Sequence, residues 1–409
     1  MFEQYRVLDL TDEKGMLCGK VLSELGMDVI KVEKPGGDSA RNLGPFYHDQ
    51  IDPQKSLFWF ANNTNKKGVT LNLETTDGKE IFKKLAAKSD IVIESFAPGY
   101  LDSLGLGYSG LIKINPRIIM TSITHFGQEG PYRDYKGSDI VEMAMGGLMS
   151  ITGDTDRAPL RISVELAYPS AALQAASGTM IALYHRELTG EGQQVDISIQ
   201  DSIVVSLWVT PNLWNLTKII QQREGQFRKR FHLKKKENYP CKDGYIAWEL
   251  FAGEWASSTF EVVNLMDAEG MAGELKGIDW GAMGSGMENV TQTQLEAWQD
   301  MFGKYFLKHT RNELHEEAIK RRIMLMPVNT CKDVVENKQL KARDFWTTIQ
   351  HDDLKDSIVY PGVAVKVSEY PWKITRRAPN IGEHNADIYI KELGFSEKDL
   401  LNLKKNNVI

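Results

Sequence analysis

Leu25–Asp38 reads LGMDVIKVEKPGGD. Met27–Glu33 is a short run of apolar and β-branched residues, the length of a strand rather than of a helix. It stops at Lys34-Pro35-Gly36-Gly37, where a cation sits beside backbone-permissive glycines. Such a loop either holds a phosphate or is a plain turn. Outward from it, Tyr5–Leu10 reads as a strand and Gly15–Leu25 as the helix between the two. Further strands fall at Gly68–Leu73, Asp90–Glu94, Arg117–Thr124 and Gln194–Ile199, and helices at Asp77–Lys88, Ser138–Ser150 and Pro169–Leu188. Strands alternating with helices predict an α/β fold with a largely parallel sheet covered on both faces. Ligand loops then lie at the C-terminal strand ends, Thr11–Gly15, Lys34–Arg41, Ser95–Gly99 and His125–Arg133.

Beyond Ser202 the pattern changes. One long helix is expected to about Ile220. The basic run RKRFHLKKK, Arg228–Lys236, reads as a polyanion patch or, preferably, as a solvated mobile linker. Residues 243–322, with a strand at Tyr245–Leu250 and then mostly helix, read as a smaller second domain. From Val328 the chain holds helices and short strands, with a last helix near Ser396–Lys405.

The 409 residues carry 49 Lys and Arg against 55 Asp and Glu, a net charge of −6. That balance disfavours general nucleic-acid binding, which needs a basic face. No signal peptide, and no apolar run of the ~18 residues a membrane span needs, is read. Cys18, Cys241 and Cys331 are far apart and the histidines scattered, so neither a disulfide framework nor a metal site is expected. A cytoplasmic location is the expectation. Walker A, Rossmann glycine, H-E-x-x-H and G-x-S-x-G motifs are absent.

Many segments, in order along nearly the whole chain, resemble the class III (CaiB/BaiF-type) CoA-transferases. They include VLDL at Val7–Leu10, LGMDVIKVEKPGGD, ESFAPGYLDSLGLGY at Glu94–Tyr108 and NPRIIMTSITHFGQEGPY at Asn115–Tyr132. GGLMSITG at Gly146–Gly153, ALYHRELTGEGQQVDISIQDS at Ala182–Ser202 and APNIGEH at Ala378–His384 follow. The resemblance implies a Rossmann-like large domain over residues 1–202, a linker over 203–242, an inserted α+β domain over 243–322 and a return segment over 323–409. It also implies an interlocked dimer. The implied reaction uses CoA or an acyl-CoA as substrate and no bound cofactor. An aspartate attacks the acyl thioester, and a mixed anhydride and then an aspartyl-CoA thioester carry the exchange.

One departure stands out. The family's aspartate falls, without a gap from either flank, on Tyr168. A phenol with an ordinary pKa of ~10 is un-ionised at neutral pH and forms a dead-end ester. Glu165 is a poorer substitute. The related racemases' His–Asp pair falls on Ser138 and Tyr168, so that chemistry is disfavoured too. Candidate CoA-binding residues are Lys34, Lys66, Lys67, Ser103, Lys136 and Ser138. Ser103 stands where the family often has a base, and Asp12 and Glu13 add acids to the first loop. Phe46, Tyr47 and Trp59 are candidates for an aromatic substrate pocket, with core packing as the other reading. The expectation is a subunit without a catalytic residue, in a heterodimer or dimer of heterodimers with an aspartate-bearing paralogue. The resemblance to members of the family built from paired paralogues implies that the complete enzyme would move CoA from succinyl-CoA to benzylsuccinate or a related arylsuccinate. An active homodimer using Glu165 and a non-enzymatic CoA-binding scaffold are the alternatives.

Overall fold

The computed structural model describes residues 2–230, 232–370 and 372–409; Phe231 of the basic run lies outside the described residues. The chain divides into two units, one of residues 1–148, 161–219 and 339–409, the other of residues 149–160 and 220–338.

The first unit is built on β1 (Arg6–Leu10), β2 (Asp28–Glu33), β3 (Lys67–Thr70), β4 (Ile91–Glu94), β5 (Ile119–Thr124) and β6 (Gln194–Ser198). All pair in parallel, in the order β3-β2-β1-β4-β5-β6. The direction of winding reverses between β1 and β4, which places a ligand crevice at their C-terminal ends. Central strands are buried on both faces, which is why they read as unbroken apolar runs. One face packs Leu8, Ile30, Val92 and Met120 against α3 (Thr76–Ala86) and the chain's last residues, Val408 and Ile409. On the other side lie α1 (Met16–Glu24) and the 23-residue α7 (Ala167–Thr189). Gly19 lets α1 approach the sheet, because a Cβ there would stand 2.2 Å from Asp9 Oδ2.

The chain is irregular over 164–166 and α7 begins at Ala167, two residues before the expected start. Pro169 tolerates the first turn, whose N–H groups lack intrahelical partners. Asp139, first residue of α6 (Asp139–Met145), accepts Leu166 N–H at 3.0 Å and Ala167 N–H at 2.8 Å through Oδ1. Instead of one helix to Ile220, two helices form, Ile199–Ser206 and Val209–Thr217. Pro211 cannot bond back to Leu207, so the first helix stops there.

The outer edge of β3 is covered by distant residues. Gly68 N–H donates to His384 Nδ1 at 3.1 Å and Thr70 N–H to Asn385 Oδ1 at 2.9 Å, and Tyr389 O–H donates to Thr70 O at 2.8 Å. An otherwise bare strand edge is thereby blocked.

The second unit reaches beyond 243–322 at both ends and also takes in residues 149–160. Its core centres on Tyr239, Trp248, Trp280, Phe302 and Phe306. Arg223 donates to Asp154 O and Arg157 O, each at 3.2 Å, drawing residues 149–160 into this unit. The basic run is not a mobile linker. It forms an antiparallel hairpin, Phe227–Arg230 with Leu233–Lys236. Leu233 is buried, Lys234 pairs with Glu224 at 2.9 Å, and Arg228 lies 3.5 Å from Glu237. Leu233 and Lys235 anchor the second strand, while Glu224 and Glu237 partner two of the cations.

Candidate active site

The C-terminal ends of β1, β2 and β4 open into a cavity of about 500 Å³, lined among others by Asp12, Lys34, Asp38, Ser95, Phe96 and Tyr100. Three of the four expected ligand loops meet there. The loop after β1 is held from beneath. Thr11 donates its N–H and its hydroxyl to Asp9 Oδ1 at 3.0 and 2.6 Å. The fully buried Lys31 donates to Thr11 O and lies 3.4 Å from Asp38 Oδ2, so one ammonium ties the loops after β1 and β2 together.

Lys66 belongs to the same internal network. It donates to Asp9 Oδ2 and Met16 O at 2.8 Å and to Asn63 Oδ1 at 2.9 Å, and is fully buried. Burial raises the Asp9 pKa, but Lys66 and Lys31 more than reverse this and hold the carboxyl below its ordinary range. Lys66 therefore faces inward, its ammonium taken up by Asp9, Met16 and Asn63. Lys67 begins β3, at the opposite end of the sheet from the cavity, and pairs with Asp28 at 2.7 Å.

Lys34 is exposed and lines the cavity. Its loop turns through Gly36 and Gly37, at φ of +91° and +97°, conformations that cost glycine no strain. Arg41 closes the loop by a double contact with Glu33 at 2.6 and 2.8 Å. Asp12 is less repulsive than its charge suggests. It is ion-paired with Lys14, and it accepts the Ser95 hydroxyl at 2.7 Å while its own N–H donates to Ser95 Oγ at 2.9 Å. Ser103 is exposed and donates to Tyr100 O at 2.7 Å.

Glu94, at the end of β4, is buried and accepts Phe96 N–H at 2.7 Å. Burial pushes its pKa up to about 7, against hydrogen bonds from Ser122 and Phe96 that pull it down. Sequence reasoning missed it, because a strand-terminal glutamate before a turn carries no distinguishing signal.

Tyr168 is the second residue of α7 and is 8% exposed. Burial, and then the carboxylates of Glu142 and Glu13, push its phenol far above the ordinary range. Glu142 is fully buried, and its Oε1 lies 2.6 Å from His125 Nδ1. Glu165 is exposed in the irregular stretch before α7; partial burial and Asp139 raise its pKa. Ser138 is the N-cap of α6 without a side-chain cap bond. Lys136 is exposed on the loop after β5. That loop also brings Phe126, Tyr132 and Tyr135 together, a cluster the sequence reading did not pick out.

The three aromatic candidates have separate surroundings. Trp59 is 1% exposed, donates to Pro379 O at 3.0 Å and carries the Arg41 guanidinium 3.6 Å above its ring. It is core, as α2 (Leu57–Asn62) turns it inward. Tyr47 donates to Asp356 Oδ2 at 2.6 Å, and Phe46 pairs with Ser56 through the backbone. Among the described residues, no three His, Cys, Asp or Glu side chains converge as metal ligands.

The profile of CoA-transferase family III matches residues 2–385. The chain belongs to CoA-transferase family III. It is 34% identical to the succinyl-CoA:(R)-benzylsuccinate CoA-transferase subunit BbsE of Thauera aromatica, over 100% of this chain and 98% of that protein. It is 31% identical to the succinyl-CoA–D-citramalate CoA-transferase of Chloroflexus aurantiacus, over 100% and 98%. A solved CAIB/BAIF family protein from Brucella suis superposes with a TM-score of 0.82 at 28% identity, covering 95% of this chain and 98% of that one. CoA-transferases of this family take CoA thioesters as substrates; three of the four loops expected to hold a ligand line the cavity at the β1/β4 crevice.

Proposed function

We propose that this chain is the non-catalytic subunit of a heteromeric CoA-transferase whose other subunit carries an aspartate where Tyr168 stands. The complete enzyme moves CoA from succinyl-CoA to an arylsuccinate such as benzylsuccinate. The observation that carries this is Tyr168 itself, buried at the head of α7 with its phenol held un-ionised by burial and by Glu142 and Glu13. An ionised carboxylate can attack a thioester and leave again from the anhydride; a neutral phenol does neither well. Glu165 is exposed and lies outside the helix that presents Tyr168, which weighs against it as a substitute.

Two further facts support a partner. The Thauera relative is named as a subunit. Trp208, Val209 and Leu216 are 77%, 56% and 84% exposed. Such a cluster of large apolar side chains marks an interaction surface. Among the described residues no helix is long and apolar enough to cross a membrane.

The test is reconstitution. The purified chain is assayed for CoA transfer from succinyl-CoA to benzylsuccinate, alone and with an aspartate-bearing paralogue. Activity is expected only for the pair, and robust turnover by this chain alone overturns the reading.

A further inference from the structure

We propose that the cavity at the ends of β1, β2 and β4 is a nucleotide site that accepts a free ribose and rejects a phosphorylated one, with Glu74 setting that choice. The inference goes beyond the subunit assignment above, because it concerns what this chain's own cavity binds and not what the chain catalyses.

The cavity, of about 500 Å³, has the size of a site for a small-molecule ligand. Its walls divide by chemistry. Leu10, Val32, Leu71 and Leu73 are apolar and buried, and the Phe96 and Tyr100 rings lie with their centroids 4.8 Å apart. An aromatic base gains stacking contact on such rings. Most of the charged groups already have partners. Glu33 is held by Arg41 and Asp12 by Lys14. Asp38 accepts Ala40 N–H at 2.9 Å through one oxygen, and its other oxygen faces Lys31. Among the described residues, that leaves Lys34 and Glu74 as the lining charges outside an ion pair, both of them exposed.

Tyr100 fixes where the acid stands. Its hydroxyl donates to Glu74 Oε1 at 3.1 Å, so the carboxylate sits at the edge of the ring. Glu74 N–H donates to Asn72 Oδ1 at 3.0 Å, which shapes the loop after β3. A base on the Tyr100 ring with its sugar toward that loop meets Glu74. A carboxylate there accepts a ribose hydroxyl and repels a ribose phosphate. An acid after a Rossmann strand selects an unphosphorylated ribose on the same electrostatic ground. CoA carries phosphate at two places, on its pyrophosphate arm and on the ribose 3′-oxygen. Lys34 can pair with one of them. Ser103, one turn beyond Tyr100, offers the second no cation, and its hydroxyl already donates to Tyr100 O at 2.7 Å.

Calorimetry on the purified full chain, with CoA and 3′-dephospho-CoA as probes, tests this, because the two differ in the ribose phosphate alone. The dephospho form is expected to bind at least about tenfold more tightly. Glu74→Gln keeps an acceptor for the Tyr100 hydroxyl and removes the charge, so it should bring the two affinities to within about twofold. Glu74→Arg should reverse the order, and Lys34→Gln should weaken both ligands alike. Circular dichroism of each variant, expected unchanged for exposed positions, separates lost recognition from lost fold. CoA binding as tightly as the dephospho form, or more tightly, overturns the proposal. So does a preference that survives Glu74→Gln, which would place the ribose elsewhere, and so does failure of both ligands to bind.

Discussion

Tyr168→Asp supplies the missing carboxylate but not its surroundings. The new charge would stand beside Glu142 and Glu13, in a site already short of cations, and the lost ring would leave a void. We expect about 2–4 kcal/mol of destabilisation from cavity and buried charge together, read as a lower urea midpoint, and no gain in turnover of the reconstituted heteromer. Tyr168→Phe should be close to neutral. Glu94 makes a second prediction. Its pKa rises from an unfolded value near 4.5 to about 7 in the folded chain. The folded state therefore binds the extra proton, and stability falls as pH rises from about 4.5 to about 7, staying low above that. Glu94→Gln keeps an acceptor for Phe96 N–H and removes the charge. It should raise stability at pH 8 by up to about 3 kcal/mol and leave it nearly unchanged at pH 4; equal gains at both pH values would rule out titration as the cause. Neither residue's environment is legible in sequence. Lys66 and Lys67 show why: neighbours on an extended chain point to opposite sides, so one lysine is swallowed by Asp9 and the next meets Asp28 at the surface.

The strand–helix alternation was readable because buried parallel strands leave an unmistakable apolar trace. What covers β3 was not, since His384, Asn385 and Tyr389 lie in a stretch with no strong periodicity and act through side chains. Asn385 bonds Thr70 N–H and also donates to Thr70 Oγ1 at 2.9 Å. Asn385→Leu should cost about 2–3 kcal/mol, because a buried N–H is left without a partner; loss of Thr70 amide protection in hydrogen exchange checks it. His384 adds an acid limit. Its Nδ1 accepts Gly68 N–H, and burial lowers its pKa from 6.5 despite Glu383. The unfolded chain takes up the proton first, so stability is lost as pH falls below about 6.5. Substituting Asn for His384 should flatten that part of the profile. The basic hairpin is the opposite case, where charge suggested a linker and the alternating burial of Leu233 and Lys235 made a strand.

The proposed assembly would run through surfaces that composition hides. A net charge of −6 over 409 residues says nothing about the apolar side chains concentrated at Trp208–Leu216. Trp208→Glu with Leu216→Lys should lower the oligomeric mass in analytical ultracentrifugation while far-ultraviolet circular dichroism stays unchanged; an unaltered mass would remove this surface from the interface.

The covered edge of β3 has a consequence for how the chain is made. Thr70 and the Asn385 that caps it are separated by 315 positions. At about 5–20 residues per second, translation needs on the order of 15–60 s to span that interval. Throughout it the nascent polypeptide carries a naked strand that can recruit a neighbouring polysome product. Slowing the ribosome downstream of β3 prolongs the exposure, so rare codons there should raise the insoluble fraction while the mature polypeptide remains chemically identical.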